Sequence, residues 1–242
     1  MSVAVVTGGG SGIGRATCAR LLAEGFTLAV LDMNGDAASA AAGPGGTARA
    51  LDVADAPAVA QAFTEIVAEL GRIDVLVNNA GISGSPAATV CHETPVEDWD
   101  RVLATNTRGP FLCSRAALPV MLAQGSGHVI TVASVAGEVA FPGRCAYTAS
   151  KGAALMFAKS LALDYAHAGI RSNAVCPGFV RTPMTQWRLD IPELAAQVEA
   201  NIPIGRIAEP DDVADAISVL ASGRMGYMTG HALVVDGGWT AR

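Results

Sequence analysis

Val3-Ala4-Val5-Val6-Thr7-Gly8-Gly9-Gly10-Ser11-Gly12-Ile13-Gly14 is an apolar run that passes into a cluster of glycines and then into a helical pattern. Four consecutive apolar residues without alternation suit a strand covered on both faces, as in a parallel sheet. Glycines after such a strand let backbone N–H groups approach an anion at the N-terminus of the next helix, where the dipole favours negative charge. The spacing T-G-x-x-x-G-x-G is not G-x-G-x-x-G, but the physics is shared. Gly8, Gly10, Ser11, Gly12, Ile13 and Gly14 are therefore candidate contacts to a dinucleotide pyrophosphate.

Outward from this stretch, short apolar runs alternate with longer amphipathic ones. Strands are expected over residues 3–7, 27–31, 47–51, 75–78, 128–133, 171–176 and 232–235. Helices are expected over 13–24, 36–42, 56–70, 96–107, 109–124, 147–168 and 210–221. Repeated β-then-α units predict an α/β fold: a single Rossmann-type domain over residues 1–242, with a seven-stranded parallel sheet and helices on both faces. No Pro/Gly/Ser-rich linker divides the chain. Residues 182–204 interrupt the alternation with Pro183, Pro192 and Pro203 and carry Met184 and Trp187 near their start. They are expected to form a substrate lid, with a packed helix pair as the alternative.

Composition narrows the function. The chain has 242 residues, 51% hydrophobic and 16% charged, enough for a sizeable core. A net charge of −6 offers no basic face for nucleic acid. No apolar run reaches the ~18 residues of a membrane span, and the start lacks the basic region of a signal peptide. The five cysteines are scattered without a C-x-x-C pair, as in a reduced cytoplasmic protein. The four histidines stand at no metal-ligand spacing, so no metal is expected.

The second strand is expected to end at Asp32, where an acid can accept hydrogen bonds from the adenine-ribose hydroxyls and repel a 2′-phosphate. Its neighbours Ser11 and Met33 bring no compensating charge, and Arg15 is the nearest cation in sequence. NAD(H) is therefore expected over NADP(H). A second constellation is Ser134, Tyr147 and Lys151. Tyr147 and Lys151 are four apart, on one helix face. A lysine ammonium beside a phenol favours the phenolate, and a cationic nicotinamide ring adds to this. Such a phenol can take a proton from an alcohol or give one to a carbonyl, while the serine hydroxyl holds the same oxygen.

With these motifs in order, the chain resembles the short-chain dehydrogenase/reductases of roughly 250 residues over essentially its whole length. Asp52-Val53 matches the family's adenine-contact pair, and Asn78-Asn79-Ala80-Gly81 its N-N-A-G signature. Asn106 matches its structural and catalytic asparagine. Pro177-Gly178, Val180 and Thr182 match the segment that places the nicotinamide carboxamide, and Asp236-Gly237-Gly238 matches the common ending. The resemblance implies that Tyr147 is the general acid/base and that Lys151 lowers its pKa and binds the nicotinamide ribose. It implies that Ser134 positions the substrate oxygen. Asn106 is implied to hold a water linking Lys151 to solvent, from a locally distorted helix, and Asn79, Ala80 and Gly81 to line the cofactor.

A homotetramer is implied too. The long helices at 109–124 and 147–168 would pack against symmetry mates, with Ala153, Ala154 and Ala158 either allowing close approach or facing the chain's own sheet, and the C-terminal strand and Trp239 would form a second interface. Candidate substrate residues are Ala136, Glu138, Phe141, Arg144, Met184 and Trp187, beside Ser134 and Tyr147. Glu138 and Arg144 either read a polar substrate or form a surface pair. The expected function is hydride transfer between NAD(H) and a small secondary alcohol or ketone. The alternative is a 3-oxoacyl-acyl-carrier-protein reductase. Such enzymes often carry basic docking residues where this chain has His128 and Ala168, so a carrier protein is disfavoured. A non-catalytic NAD(H)-binding sensor or scaffold is a further alternative, which the complete Ser/Tyr/Lys set opposes.

Overall fold

The computed structural model describes residues 1–85 and 90–241. Seven strands, β1 (Val3–Thr7), β2 (Thr27–Asp32), β3 (Thr47–Ala50), β4 (Val75–Asn78), β5 (Gly127–Val132), β6 (Ile170–Pro177) and β7 (Ala232–Val235), form one sheet in the order β3-β2-β1-β4-β5-β6-β7. Every pairing is parallel. The helices are α1 (Gly12–Ala23), α2 (Gly35–Ala42), α3 (Ala56–Leu70), α4 (Val96–Leu103), α5 (Gly109–Gln124), α6 (Cys145–Tyr165), α7 (Pro183–Leu189), α8 (Pro192–Glu199) and α9 (Pro210–Ala221).

The sheet is buried on both faces, which is why its central strands read as unbroken apolar runs. Val5, Leu76 and Val129 face Phe63 and Ile66 of α3 and Met121 of α5. Ala4, Val6 and Val30 face Leu21 of α1 and Ile217 and Leu220 of α9. One-residue alternation along β1 thus feeds two cores. Local signals set the helix ends: the Asp55 side chain accepts a hydrogen bond from the Ala58 N–H at the start of α3, and left-handed Gly71 stops it. No described helix is long and apolar enough to cross a membrane.

The structure sharpens the sequence expectations in four places. The helix expected over 96–107 is α-helical only to Leu103, then widens into a π turn over Ala104–Arg108 that runs on into α5. Residues 182–204 contain the helix pair α7 and α8, with Pro183 and Pro192 in their first turns, where a missing N–H is tolerated. Ala154 and Ala158 are buried within the chain itself, so they do not offer the outer surface expected of an assembly interface. His128 is 3% exposed. One ring nitrogen faces the Leu220 carbonyl at 3.2 Å and the other the Asn173 amide at 2.9 Å. Burial, with Arg171 nearby, pushes its pKa down to about 3, so it is a neutral packing residue and no docking position.

Candidate active site

The strand order reverses between β1 and β4, and a cleft of about 580 Å³ opens at the carboxyl ends of the strands there. Gly8, Ser11, Gly12 and Ile13 line it at the start of α1. Ser11 makes no side-chain cap, and the first turn carries no acid, so that turn's N–H groups have neither a side-chain acceptor nor a competing charge. Asn79 fastens the loop: its amide donates to the Thr7 and Gly8 carbonyls, both at 3.0 Å. Gly14 stands behind this surface, where any side chain would collide with the Gly8 carbonyl.

Asp32, at the tip of β2, accepts from Gly10 N and Asn34 N, each at 2.9 Å. A Cβ on Gly10 would come within 3.0 Å of the Asp32 carboxyl carbon, so glycine lets loop and carboxylate meet. Asp32, Met33, Asp52 and Val53 line one end of the cleft, while Arg15 is exposed outside its lining. Ala80, Gly81, Pro177, Gly178, Val180 and Thr182 line the rest with Lys151, Ser134 and Tyr147. These residues make a cradle suited to a dinucleotide: free helix N–H groups midway and an acid at one end.

The π turn places Asn106. Its amide donates to the Ile82 carbonyl (2.8 Å) and to Ser150 Oγ (3.0 Å), and its carbonyl oxygen accepts from Ile82 N (2.8 Å). Asn106 therefore stands behind the cleft lining and straps the loop after β4 to α6. Lys151 is 5% exposed, and its Nζ donates to the Val132 carbonyl at 2.9 Å. Burial lowers its pKa to about 8. Nζ lies 5.7 Å from the centre of the Tyr147 ring. Burial raises the Tyr147 phenol above its usual value, opposed by a hydrogen bond with Ser134. The lowered phenol expected from sequence invokes Lys151 and a cationic nicotinamide ring together; in the protein alone burial sets the direction.

A second cavity of about 330 Å³ adjoins the cleft, and Ser134, Tyr147 and Gly178 line both. Ala136, Phe141, Arg144, Met184 and Trp187 line it as expected from sequence. Glu138 is exposed and lines neither cavity. The alternative of a Glu138–Arg144 surface pair also fails among the described contacts: Arg144 donates to the Ser85 carbonyl at 3.3 Å and stacks over Trp187 at 5.6 Å. Phe179, Arg188, Gln197, Asn201 and Trp239 also line the wall, none of them among the substrate residues expected from sequence. Trp239 packs 4.9 Å from Phe141 and 5.1 Å from Phe179, against the cavity. Helices α7 and α8 roof the cavity on their own small core of Leu189, Val198, Ile202 and Ile207.

A sequence model for a family described as enoyl-(acyl carrier protein) reductase matches residues 8–240. The chain is 52% identical to 2-(R)-hydroxypropyl-CoM dehydrogenase of Xanthobacter autotrophicus, over 99% of this chain and 98% of the relative. It is 40% identical to cyclopentanol dehydrogenase of a Comamonas species, over 99% and 97%. Among solved structures, levodione reductase superposes with a TM-score of 0.94 at 32% identity, covering 99% of this chain and 98% of that one.

Proposed function

The chain belongs to the short-chain dehydrogenase/reductase family, an oxidoreductase acting on CH–OH groups, and from that membership we propose that it moves a hydride between NAD(H) and a small secondary alcohol or ketone, with Tyr147 as general acid/base. The observation that carries this reading is the shared wall. Ser134 and Tyr147 stand where the larger cleft opens onto the smaller cavity, so a carbinol in the one faces a cofactor in the other. A bound nicotinamide supplies the hydride acceptor or donor. In the oxidative direction Ser134 Oγ holds the substrate oxygen and Tyr147 Oη takes its proton. Lys151 stabilises the phenolate and, with the ribose, orients the cofactor. Asn106 holds the water that returns the proton to solvent. Helices α7 and α8 act as the lid that excludes bulk water. NADH production, screened over secondary alcohols, polyols and hydroxy acids, tests the reading. Failure across the whole panel sinks it.

Cofactor choice follows from Asp32. A 2′-phosphate at this end of the cleft meets a carboxylate with no lining cation beside it. Arg101, which lines the cleft, is ion-paired to buried Asp98 at 2.6 Å. NAD is therefore expected to outperform NADP by at least about tenfold in kcat/KM. Asp32→Ser combined with Met33→Arg should narrow or invert that ratio, and equal use of both cofactors by the native enzyme would count against this assignment.

The assembly expected from sequence rests on a different surface from the alanines. Phe111 of α5 is 47% exposed, and Met156 and Leu163 of α6 are 60% and 84% exposed. Exposed apolar side chains on adjacent long helices suit a self-complementary contact in a homotetramer with two-fold axes. Light scattering should give four chains at micromolar concentration, and Leu163→Glu with Met156→Glu should give smaller species. A monomeric native protein overturns the proposal.

A further inference from the structure

We infer that Asp98 is a positioning residue of the active site: it clamps the loop after β4 and so holds Ser83 at the wall shared by the cofactor cleft and the smaller cavity. This rests on the dehydrogenase reading above and adds to it a residue that lines neither cavity. Asp98 is the third residue of α4 and is 6% exposed. An acid at that position ordinarily reaches back to the N–H of its own helix cap. Asp212 does so at the start of α9, accepting from Glu209 N at 2.8 Å. The cap of α4 is Pro95, which has no N–H to offer. The Asp98 carboxylate turns to another segment instead. Both its oxygens accept from Ser85 N, at 3.0 and 3.2 Å, and one also accepts from Arg101 at 2.6 Å.

The other end of the loop is held by Asn106, which bonds both the N–H and the carbonyl of Ile82. Asp98 and Asn106 belong to one continuous rod, α4 and the π turn that extends it. One α turn and one π turn together span about eight residues, the separation of these two, so both side chains leave the rod on the same face. The π turn thus brings two clamps into register over one loop. Between the clamped residues lie only Ser83 and Gly84. Gly84 has φ +91°, a conformation that other residues rarely adopt, and lets the loop turn there. Ser83 lines both cavities beside Ser134 and Tyr147, so on the proposed mechanism its hydroxyl stands where a carbinol meets the nicotinamide. Burial opposes ionisation of Asp98, but the hydrogen bonds from Arg101 and Ser85 outweigh it and hold the carboxyl below its usual range. The clamp is therefore a charge-assisted bond at neutral pH.

The test is a mutant cycle read by kinetics. The purified full chain is assayed with NAD and the best secondary alcohol of the screen, beside an NADH fluorescence titration and a thermal melt. Asp98→Ala should lower kcat by about 10- to 100-fold while NADH affinity stays within about fivefold, because a small misplacement at the reacting centre is costly to the chemical step. Asp98→Asn keeps one acceptor for the Ser85 N–H and loses the charge, so it should recover part of the loss. Ser85→Pro removes the donated N–H and leaves Asp98 paired with Arg101, and it should repeat the loss of Asp98→Ala. Ser83→Ala should lower kcat/KM for the alcohol by about 3- to 10-fold. Added to Asp98→Ala, it should change kcat/KM by less than about twofold, because an unclamped Ser83 is already out of place.

Near-native kcat in either Asp98→Ala or Ser85→Pro, a silent Ser83→Ala, additive effects in the double variant, or NADH affinity falling in step with kcat overturns the inference and leaves the dehydrogenase reading intact. Should Asp98→Ala fail to fold, Ser85→Pro takes its place in the cycle, with the same outcomes deciding. No turnover of any alcohol by the native chain overturns the dehydrogenase reading, and this one with it.

Discussion

Replacing Tyr147 by phenylalanine is expected to lower kcat by about 10²- to 10⁴-fold while NADH binding changes little. The substitution keeps the ring that lines both cavities and removes only the hydroxyl. No neighbour can take over its task. Ser83, Ser134 and Thr185 also line both cavities, but their hydroxyls do not titrate near neutral pH. Lys151 is held away by the Val132 carbonyl. Steady-state kinetics beside an NADH fluorescence titration separate the two effects. Turnover within tenfold of the native enzyme would remove Tyr147 from the mechanism.

Lys151→Met should abolish most activity and yet leave the protein no less stable. The catalytic part follows from charge. The ammonium is present below its pKa of about 8 and is lost as pH rises through that value. Without it the phenol ionises at higher pH, so the rising limb of the activity–pH profile should move up, and the KM for NAD should increase with the lost ribose contact. The stability part follows from linkage. An unfolded lysine holds its proton up to about 10.4. Between about 8 and that value the unfolded chain binds more protons, so native stability rises with pH across this window and is reduced below it. Keeping the buried ammonium charged at neutral pH costs about 3 kcal/mol. Its hydrogen bond to the Val132 carbonyl returns about 1 kcal/mol. Methionine relieves the first and forgoes the second, so Tm should hold or rise by a few degrees. A fall of more than about 2 kcal/mol in urea unfolding at pH 7 would show that the charge is not a burden on the native state.

The sequence was most legible where one local signal suffices. β1 announces itself because Val3–Thr7 is buried on both faces, and α3 because Asp55 and Gly71 mark its ends. The residues of the cofactor cleft were legible because they follow strand ends, which the topology brings to one edge. Less could be read where structure depends on contacts distant in sequence. Pro183 and Pro192 read as breaks, although each lies in the first turn of a helix. Arg188 was passed over because nothing local distinguishes a cavity arginine from a solvated one. Its environment comes from Phe179 and the roof helices. For Tyr147, sequence spacing reveals the lysine but not the depth of burial that raises the phenol in the protein alone.

The π turn at Ala104–Arg108 has a consequence for how this site can be gained or lost. A π turn holds one residue more than the α turn it replaces. Deleting a single residue there lets the backbone close to an α turn while α4 and α5 keep their relative phase, so it is the residues inside 104–108 that are displaced. The amide that ties Ile82 to Ser150 would then leave its place, though every side chain of the Ser134–Tyr147–Lys151 group remained in the sequence. Point substitutions mostly keep that register. On the proposed mechanism, competence at this site is carried partly by chain length, and a one-residue gap across residues 104–108 in a relative would mark a displaced asparagine.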